Sequence, residues 1–252
     1  MNKNIIIYDL EVNPNSFNAF VFFIIFKIHS NLRDYKNLSV IILKPVDKKN
    51  NLLDEEKYQF RLDNLIPSII KLHFGDIEKK IIEDRKSLIP IVNNSKNKIY
   101  PNGYKLSKPK PYFELKHVIN KSVNLRSFKF HLAENAKETV NSWISTQCTN
   151  TKANIVTIAI RSTNYQLERN SNLTEWKKVA KKISSQGFLV IFIPDIESDD
   201  EFKNLRQSFL FYDLASEDLQ IRMALYEKSY LNLVINHGPS SICLFNPNCS
   251  YL

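Results

Sequence analysis

The sequence is poor in glycine, with four in 252 residues, and it holds only three cysteines and two tryptophans. So few glycines exclude a glycine-rich loop of the kind that wraps phosphates with bare backbone. Cys148, Cys243 and Cys249 form no CxxC pair and have no histidine at ligand spacing. That excludes a structural zinc site and a disulfide scaffold, and a reducing cytosol fits best. No signal peptide is expected either, because Asp9 and Glu11 stand where a basic region should give way to an apolar run. The longest apolar stretch, AFVFFIIF at 19–26, is less than half of the roughly 20 residues needed to cross a bilayer. The expectation is a soluble, cytoplasmic chain, at most peripheral at the inner face of a membrane.

Positive charge is plentiful but lopsided. Residues 1–150 carry 24 Lys/Arg against 15 Asp/Glu, whereas residues 151–252 carry 11 of each. The formal net charge of +9 therefore lies in the front section, which suits an anionic partner there. An Asn-, Lys- and Ile-rich compositional habit of the source would produce the same excess.

Continuous apolar runs dominate the readable elements. NIIIYDLEV and LSVIILKP read as strands buried on both faces, as a parallel sheet covered by helices requires. SFNAFVFFIIFKIHSN between them is apolar all round, a buried helix or a further strand. Residues 54–73 read as helix and KSLIPIV (86–92) as a short strand. Residues 95–130 hold nine Lys/Arg, one acid, three prolines and a glycine, the composition of a linker between two halves. Residues 131–147 are expected to be helical.

The rear half alternates strand and helix. NIVTIAI (154–160), FLVIFI (188–193) and LNLVIN (231–236) are strands. Asn172, with Glu175 three residues on, opens a helix that closes at Gly187. Ser216, Glu217 and Asp218 open a second, and Pro239 a third. This alternation implies right-handed crossovers and doubly wound sheets. Two Rossmann-like domains follow, 1–145 and 146–252.

Ligands of such sheets sit at the strands' carboxyl ends, beside the point where strand order reverses. Arg161, Ser162 and Thr163 follow the first rear strand, Asp195 the second, and Asn236, His237, Gly238, Ser240 and Ser241 the third. A helix starting at Pro239 would aim backbone N–H groups at the same place, and Arg161 adds a forked cation suited to phosphate. Together they outline a diphosphate site built without a glycine-rich loop. Arg169 is expected to pair with Glu168 on a solvated loop. For His237, positioning of its loop is expected ahead of catalysis.

VTIAIRST, then SNLTEWKKVAKKISSQGFLVIFIPD, resembles the donor half of GT-B glycosyltransferases, notably the heptosyltransferase-like and fucosyltransferase-like branches. DLQIRMALYEKSYLNLVINHGPSSICLF resembles their later nucleotide-sugar segment. The resemblance covers residues 154–245. It implies two Rossmann-like domains with a shortened C-terminal one, and metal-independent transfer from a nucleoside diphosphate sugar to a cell-surface glycan or lipid-linked acceptor. By it Arg161 contacts the pyrophosphate, Gly238, Ser240 and Ser241 lie against the phosphates, and Asp195 lies near base or ribose. Asp9 or Glu11, at the first strand end, would face the cleft between domains and deprotonate the acceptor. No cofactor beyond the donor is expected.

Two other readings compete. A non-catalytic nucleotide- or glycan-binding relative would share the fold without turnover. YDLEV also resembles the D-x-E opening of DEDD-type 3′–5′ exonucleases, whose carboxylates hold two metal ions. The basic segment 95–130, with Tyr100, Tyr104, Tyr112 and Phe113 among its lysines, suits an anionic membrane or a solvated linker ahead of nucleic acid.

Overall fold

A computed structural model describes residues 3–30, 35, 37–46, 54–111, 128–147, 153–163, 166–195 and 202–252. The chain divides into two compact units, Met1–Leu125 and Arg126–Leu252.

The first unit is built on β1 (Asn4–Asp9), β2 (Leu38–Leu43), β3 (Glu78–Ile82) and β4 (Lys98–Tyr100), all parallel in the order β3-β2-β1-β4. Every residue of β2 is buried, as its uninterrupted apolar sequence demands. The ambiguous apolar segment is a helix, α1 (Asn18–Ser30), with Phe20, Phe22, Phe23, Ile24 and Ile25 all buried. Its rings pack edge-on: Phe22 lies 4.9 Å from Tyr8 and Phe26 lies 5.1 Å from Tyr100, centroid to centroid.

The helical stretch 54–73 is present, with a fault line through it. α2 (Glu55–Phe60) runs through a wide i→i+5 turn at Arg61–Leu65 into α3 (Ile66–Phe74). Pro67 lacks the N–H that a regular ladder would need, and the widened turn precedes it.

Two expectations are corrected here. KSLIPIV is not a strand: Arg85–Leu88 form a 3₁₀ turn leading into the short helix α4 (Ile89–Val92). The Asp84 carboxylate accepts from Lys86 N at 2.9 Å and Pro90 sits at the helix start, both of which favour helical over extended backbone. The strand lies earlier, at β3, an exposed edge whose EKKII sequence carries no apolar run. The basic segment 95–130 is not linker throughout, because β4 lies inside it and pairs with β1. Tyr100 and Tyr104 are buried there, which removes them as stacking platforms for nucleic-acid bases; Tyr112 and Phe113 lie outside the described residues.

The second unit begins with α5 (Glu134–Gln147) and repeats the same sheet order. β5 (Ile155–Ala159), β6 (Leu189–Ile193), β7 (Leu210–Phe211) and β8 (Leu231–Leu233) are parallel in the order β7-β6-β5-β8. α6 (Leu173–Ser184) follows β5, capped as expected by Asn172, whose side chain accepts from Glu175 N. The cap of α9 (Leu219–Lys228) is Asp218, which accepts from Gln220 N and Ile221 N. Ser216 belongs instead to the preceding short helix α8 (Leu214–Glu217) and donates to Pro194 O. Two short helices complete this unit, α7 (Lys203–Arg206) and α10 (Ser240–Phe245). Cys243 and Cys249 are buried free thiols; Cys148 lies outside the described residues.

Beyond α10 the chain returns to the sheet. Tyr251 bridges Asn232 in parallel, with Asn232 N donating to Ser250 O and Leu252 N to Asn232 O. The Asn232 side chain is wholly buried, accepts from Thr157 Oγ1 at 2.5 Å and donates to Tyr226 O and Ser250 O. Asn232→Ala strands a hydroxyl and weakens two carbonyl contacts, an expected loss of about 2–3 kcal/mol in urea unfolding of the second unit. A loss below about 0.5 kcal/mol, the range of an ordinary surface change, would contradict that role.

Candidate functional site

Both sheets reverse strand order between their first and fourth strands, β1/β4 and β5/β8. The polar residues that follow those strands form two separate clusters.

In the first unit Asp9 ends β1 with no solvent exposure. Arg85 donates to both of its oxygens, at 2.9 and 2.5 Å, Tyr104 donates its hydroxyl at 2.6 Å, and Glu11 N donates at 3.0 Å. Burial works against the Arg85 charge, yet the hydrogen bonds and charge of Asp9 hold its guanidinium above the ordinary arginine value. Burial first, and then the Asp9 carboxylate, raise the Tyr104 phenol, so it stays a donor. With its lone pairs filled, Asp9 ties β1 to the segment after β3 and is poorly placed to abstract a proton.

Glu11 is different. One oxygen accepts from Val46 N at 2.7 Å and lies 3.8 Å from Arg85, while the side chain keeps 34% of its exposure. Its other oxygen has no hydrogen-bond partner among the described residues. Of the two carboxylates, Glu11 is the one that can accept a proton from an incoming molecule. The D-x-E pair also has a cation of the chain's own against it. Arg85 occupies the flank of Asp9 where a cation would bind, and no group of three metal-ligating side chains occurs among the described residues.

In the second unit Arg161 leaves β5 and turns inward. It is 6% exposed and donates from Nη1 to Gln166 O at 2.9 Å and Asn170 Oδ1 at 2.7 Å. Its backbone pairs with Ser171, N to Oγ and O to N. Asn170 doubles as a clasp, accepting from Thr163 N and donating to Thr163 O. Arg161 therefore organises the turn at 166–171 as well as placing a cation at the strand end. Ser162 is buried beside it and Asp195, after β6, is partly buried.

Arg169, expected to pair with Glu168, instead donates to Gln166 Oε1 and, at 2.5 Å, to Asn236 O beyond β8. This bond joins the two sides of the strand-order reversal, so the structure brings the Arg161 loop and the Asn236–Gly238 turn together. Asn236 is exposed and His237, Gly238, Ser240 and Ser241 are partly buried.

The anion cradle expected at Pro239 is corrected. α10 spans only Ser240–Phe245, and its first N–H groups are already used: Ser240 N, Ser241 N and Ile242 N donate to His237 O, Gly238 O and Pro239 O. The Ser240 hydroxyl also donates to His237 O, at 2.6 Å. Tight i→i+3 bonding at a short helix start has consumed the donors.

His237 Nδ1 lies 2.9 Å from Ile235 O, which fixes a hydrogen there, and Nε2 is sealed from solvent without a hydrogen-bond partner. Burial, and then the nearby charges of Arg222, Arg161 and Arg169, lower its pKa to about 3, so the ring is neutral. The neutral ring favours folding above the ordinary histidine value. That contribution declines as pH falls from there towards about 3, because the unfolded chain takes up its proton first.

Sequence reading missed three partners. Arg85 and Tyr104 stand 76 and 95 residues from Asp9. The one available signal for Arg222 was a lone cation within LQIRMALY, an otherwise buried helix.

The chain matches no protein-family model and no curated protein sequence. Among solved structures it superposes on the family 9 glycosyl transferase of Veillonella parvula with a TM-score of 0.60 and 9% identity, over 100% of this chain and 86% of that one. The ADP-heptose LPS heptosyltransferase II of E. coli aligns over 99% of this chain and 90% of its own at 10% identity, but at 0.44 the match is too loose to argue from. The fold is thus that of a GT-B glycosyltransferase, two Rossmann-like α/β units in one chain.

Proposed function

We propose that this protein transfers a sugar from a nucleoside diphosphate donor to a glycan or lipid-linked acceptor. The observation that carries the reading is the convergence of Arg161, Arg169 and His237 where the second sheet reverses its strand order, within a chain folded like a glycosyl transferase. Ligands of open α/β sheets bind there. Arg161 and Arg169 would meet the donor diphosphate and stabilise it as it departs, without a metal ion. Ser162, Asn236, Gly238, Ser240 and Ser241 would line the phosphates, and Asp195 would approach the ribose or base. Glu11 would take the acceptor's proton, with Asp9 holding its surroundings in place.

The exposed lysines of residues 96–110, Lys96, Lys98, Lys105, Lys108 and Lys110, suit an anionic membrane that carries the acceptor. No described helix is long and apolar enough to cross one.

The test is thermal unfolding against GDP, UDP, ADP, CMP and their sugars, with and without Mg²⁺. One nucleoside diphosphate at 100 times its dissociation constant is expected to stabilise the fold by about 2.7 kcal/mol whether or not metal is present. Binding without sugar transfer would leave a non-catalytic relative. A response only to a mononucleotide with metal would overturn the reading in favour of a nuclease.

A further inference from the structure

Of the four glycines in the chain, one alone follows an asparagine: Gly103, after Asn102. Asparagine is among the thermolabile residues, and a glycine after it removes the side chain that would shield the next peptide nitrogen. The pair sits in the turn after β4, closed by Tyr104 N donating to Pro101 O at 3.0 Å, with Gly103 at φ +67°. That φ suits a glycine at the third position of a turn. Both residues are exposed. Among the described residues, neither the Asn102 side chain nor Gly103 N makes a hydrogen bond.

Lys110 sets this turn apart from an ordinary exposed Asn–Gly pair. Its Nζ donates to the main-chain oxygen of Asn102 and lies 3.4 Å from the point that a Cβ on Gly103 would occupy. An ammonium on that carbonyl draws electrons from the Asn102–Gly103 peptide, which makes the Gly103 N–H easier to deprotonate. It also stabilises the oxyanion that forms when the same carbonyl carbon is attacked.

We propose that Asn102 is a site of spontaneous deamidation, and that Lys110 accelerates the reaction and directs its product to isoaspartate. Hydroxide takes the proton of Gly103 N, and the nitrogen attacks Asn102 Cγ. The new C–N bond closes a succinimide as the Cγ–Nδ2 bond breaks, and ammonia leaves with a proton from water. Water then opens the ring. Attack at Cγ breaks the new bond and gives aspartate; attack at the main-chain carbon breaks the original peptide bond and gives isoaspartate. Lys110 polarises the second of these carbons. A neutral side chain becomes a carboxylate, one water is consumed and one ammonium is released. This chemistry needs neither donor nor acceptor.

Isoaspartate carries the main chain through one extra carbon, which widens the turn that Tyr104 N closes. Tyr104 also donates its hydroxyl to Asp9 at 2.6 Å. The modification therefore loosens the buried Asp9 cluster from the surface, and it accumulates with time.

Purified protein held at mildly alkaline pH, digested at intervals and read by mass spectrometry, tests the proposal. The peptide holding Asn102 is expected to gain the mass of a carboxyl over an amide ahead of every other asparagine peptide. Lys110→Met should slow that gain about 3- to 10-fold, the effect of half to one pKa unit at the amide. It should also lower the isoaspartate share, scored with an isoaspartyl methyltransferase. Aged parent protein should unfold earlier than fresh protein in far-UV circular dichroism, whereas aged Asn102→Gln should not. An Asn102 that stays intact in the folded chain and converts only in urea would overturn the proposal. So would a conversion that Lys110→Met neither slows nor redirects. An unshifted transition despite isoaspartate at 102 would overturn the link through Tyr104.

Discussion

Asp9→Ala is expected to destabilise the first unit by about 3–5 kcal/mol, the loss that follows when one partner of a buried ion pair is removed. Asp9 is fully enclosed, and the Arg85 side chain keeps 15% of its exposure, so the guanidinium would be left largely desolvated without its counter-charge. Tyr104 would lose its acceptor as well. The measurement needs care over which unit it reports. Both tryptophans, Trp143 and Trp176, lie in the second unit, so tryptophan fluorescence is blind to the first. The expected result is an early transition in far-UV circular dichroism while the fluorescence transition stays where it was. Asp9→Ala combined with Arg85→Met should recover much of the loss, because an apolar pair of similar volume is often as stable as a buried ion pair. A loss below about 1 kcal/mol, as for an exposed pair, would show that the cluster is ornamental.

Glu11→Gln should act on rate and not on folding. Glutamine retains an oxygen that can accept from Val46 N, so the local backbone contact survives. What it cannot do is accept a proton. Sugar transfer is expected to fall about 10²- to 10⁴-fold, the range of a lost general base, with nucleoside diphosphate affinity unchanged. The comparison is kcat for the two proteins with the donor that gives the thermal shift. An unaltered kcat would remove Glu11 from the chemistry.

The two residues separate what can be read from sequence and what cannot. That a carboxylate follows an apolar strand is visible in IIIYDLEV. That one carboxylate is occupied and the other open depends on Arg85, Tyr104 and Val46, each brought in by a different element. Arg161 shows the same limit within a single loop. Its strand end was legible, but its inward direction follows from Gln166 and Asn170, whose acceptors meet the guanidinium in a turn that holds Gln166 in left-handed backbone. Buried strands announced themselves through unbroken apolar runs; β3 did not, because an exposed edge has no apolar face to display. The helix at Pro239 was legible, and its brevity was not.

The Asp9 cluster also bears on how long the first unit stays folded. Its three side chains are held together across 76 and 95 residues of chain, so they meet only after β2 and β3 have docked on β1. Closing loops of that length is entropically costly, so the cluster is expected to close after the sheet has assembled. Asp9→Ala is then expected to quicken unfolding of the first unit and leave its folding rate nearly unaltered, which stopped-flow measurement of both rates checks. On that outcome Asp9 is a latch: it sets the lifetime of the folded unit and leaves the time needed to reach it alone.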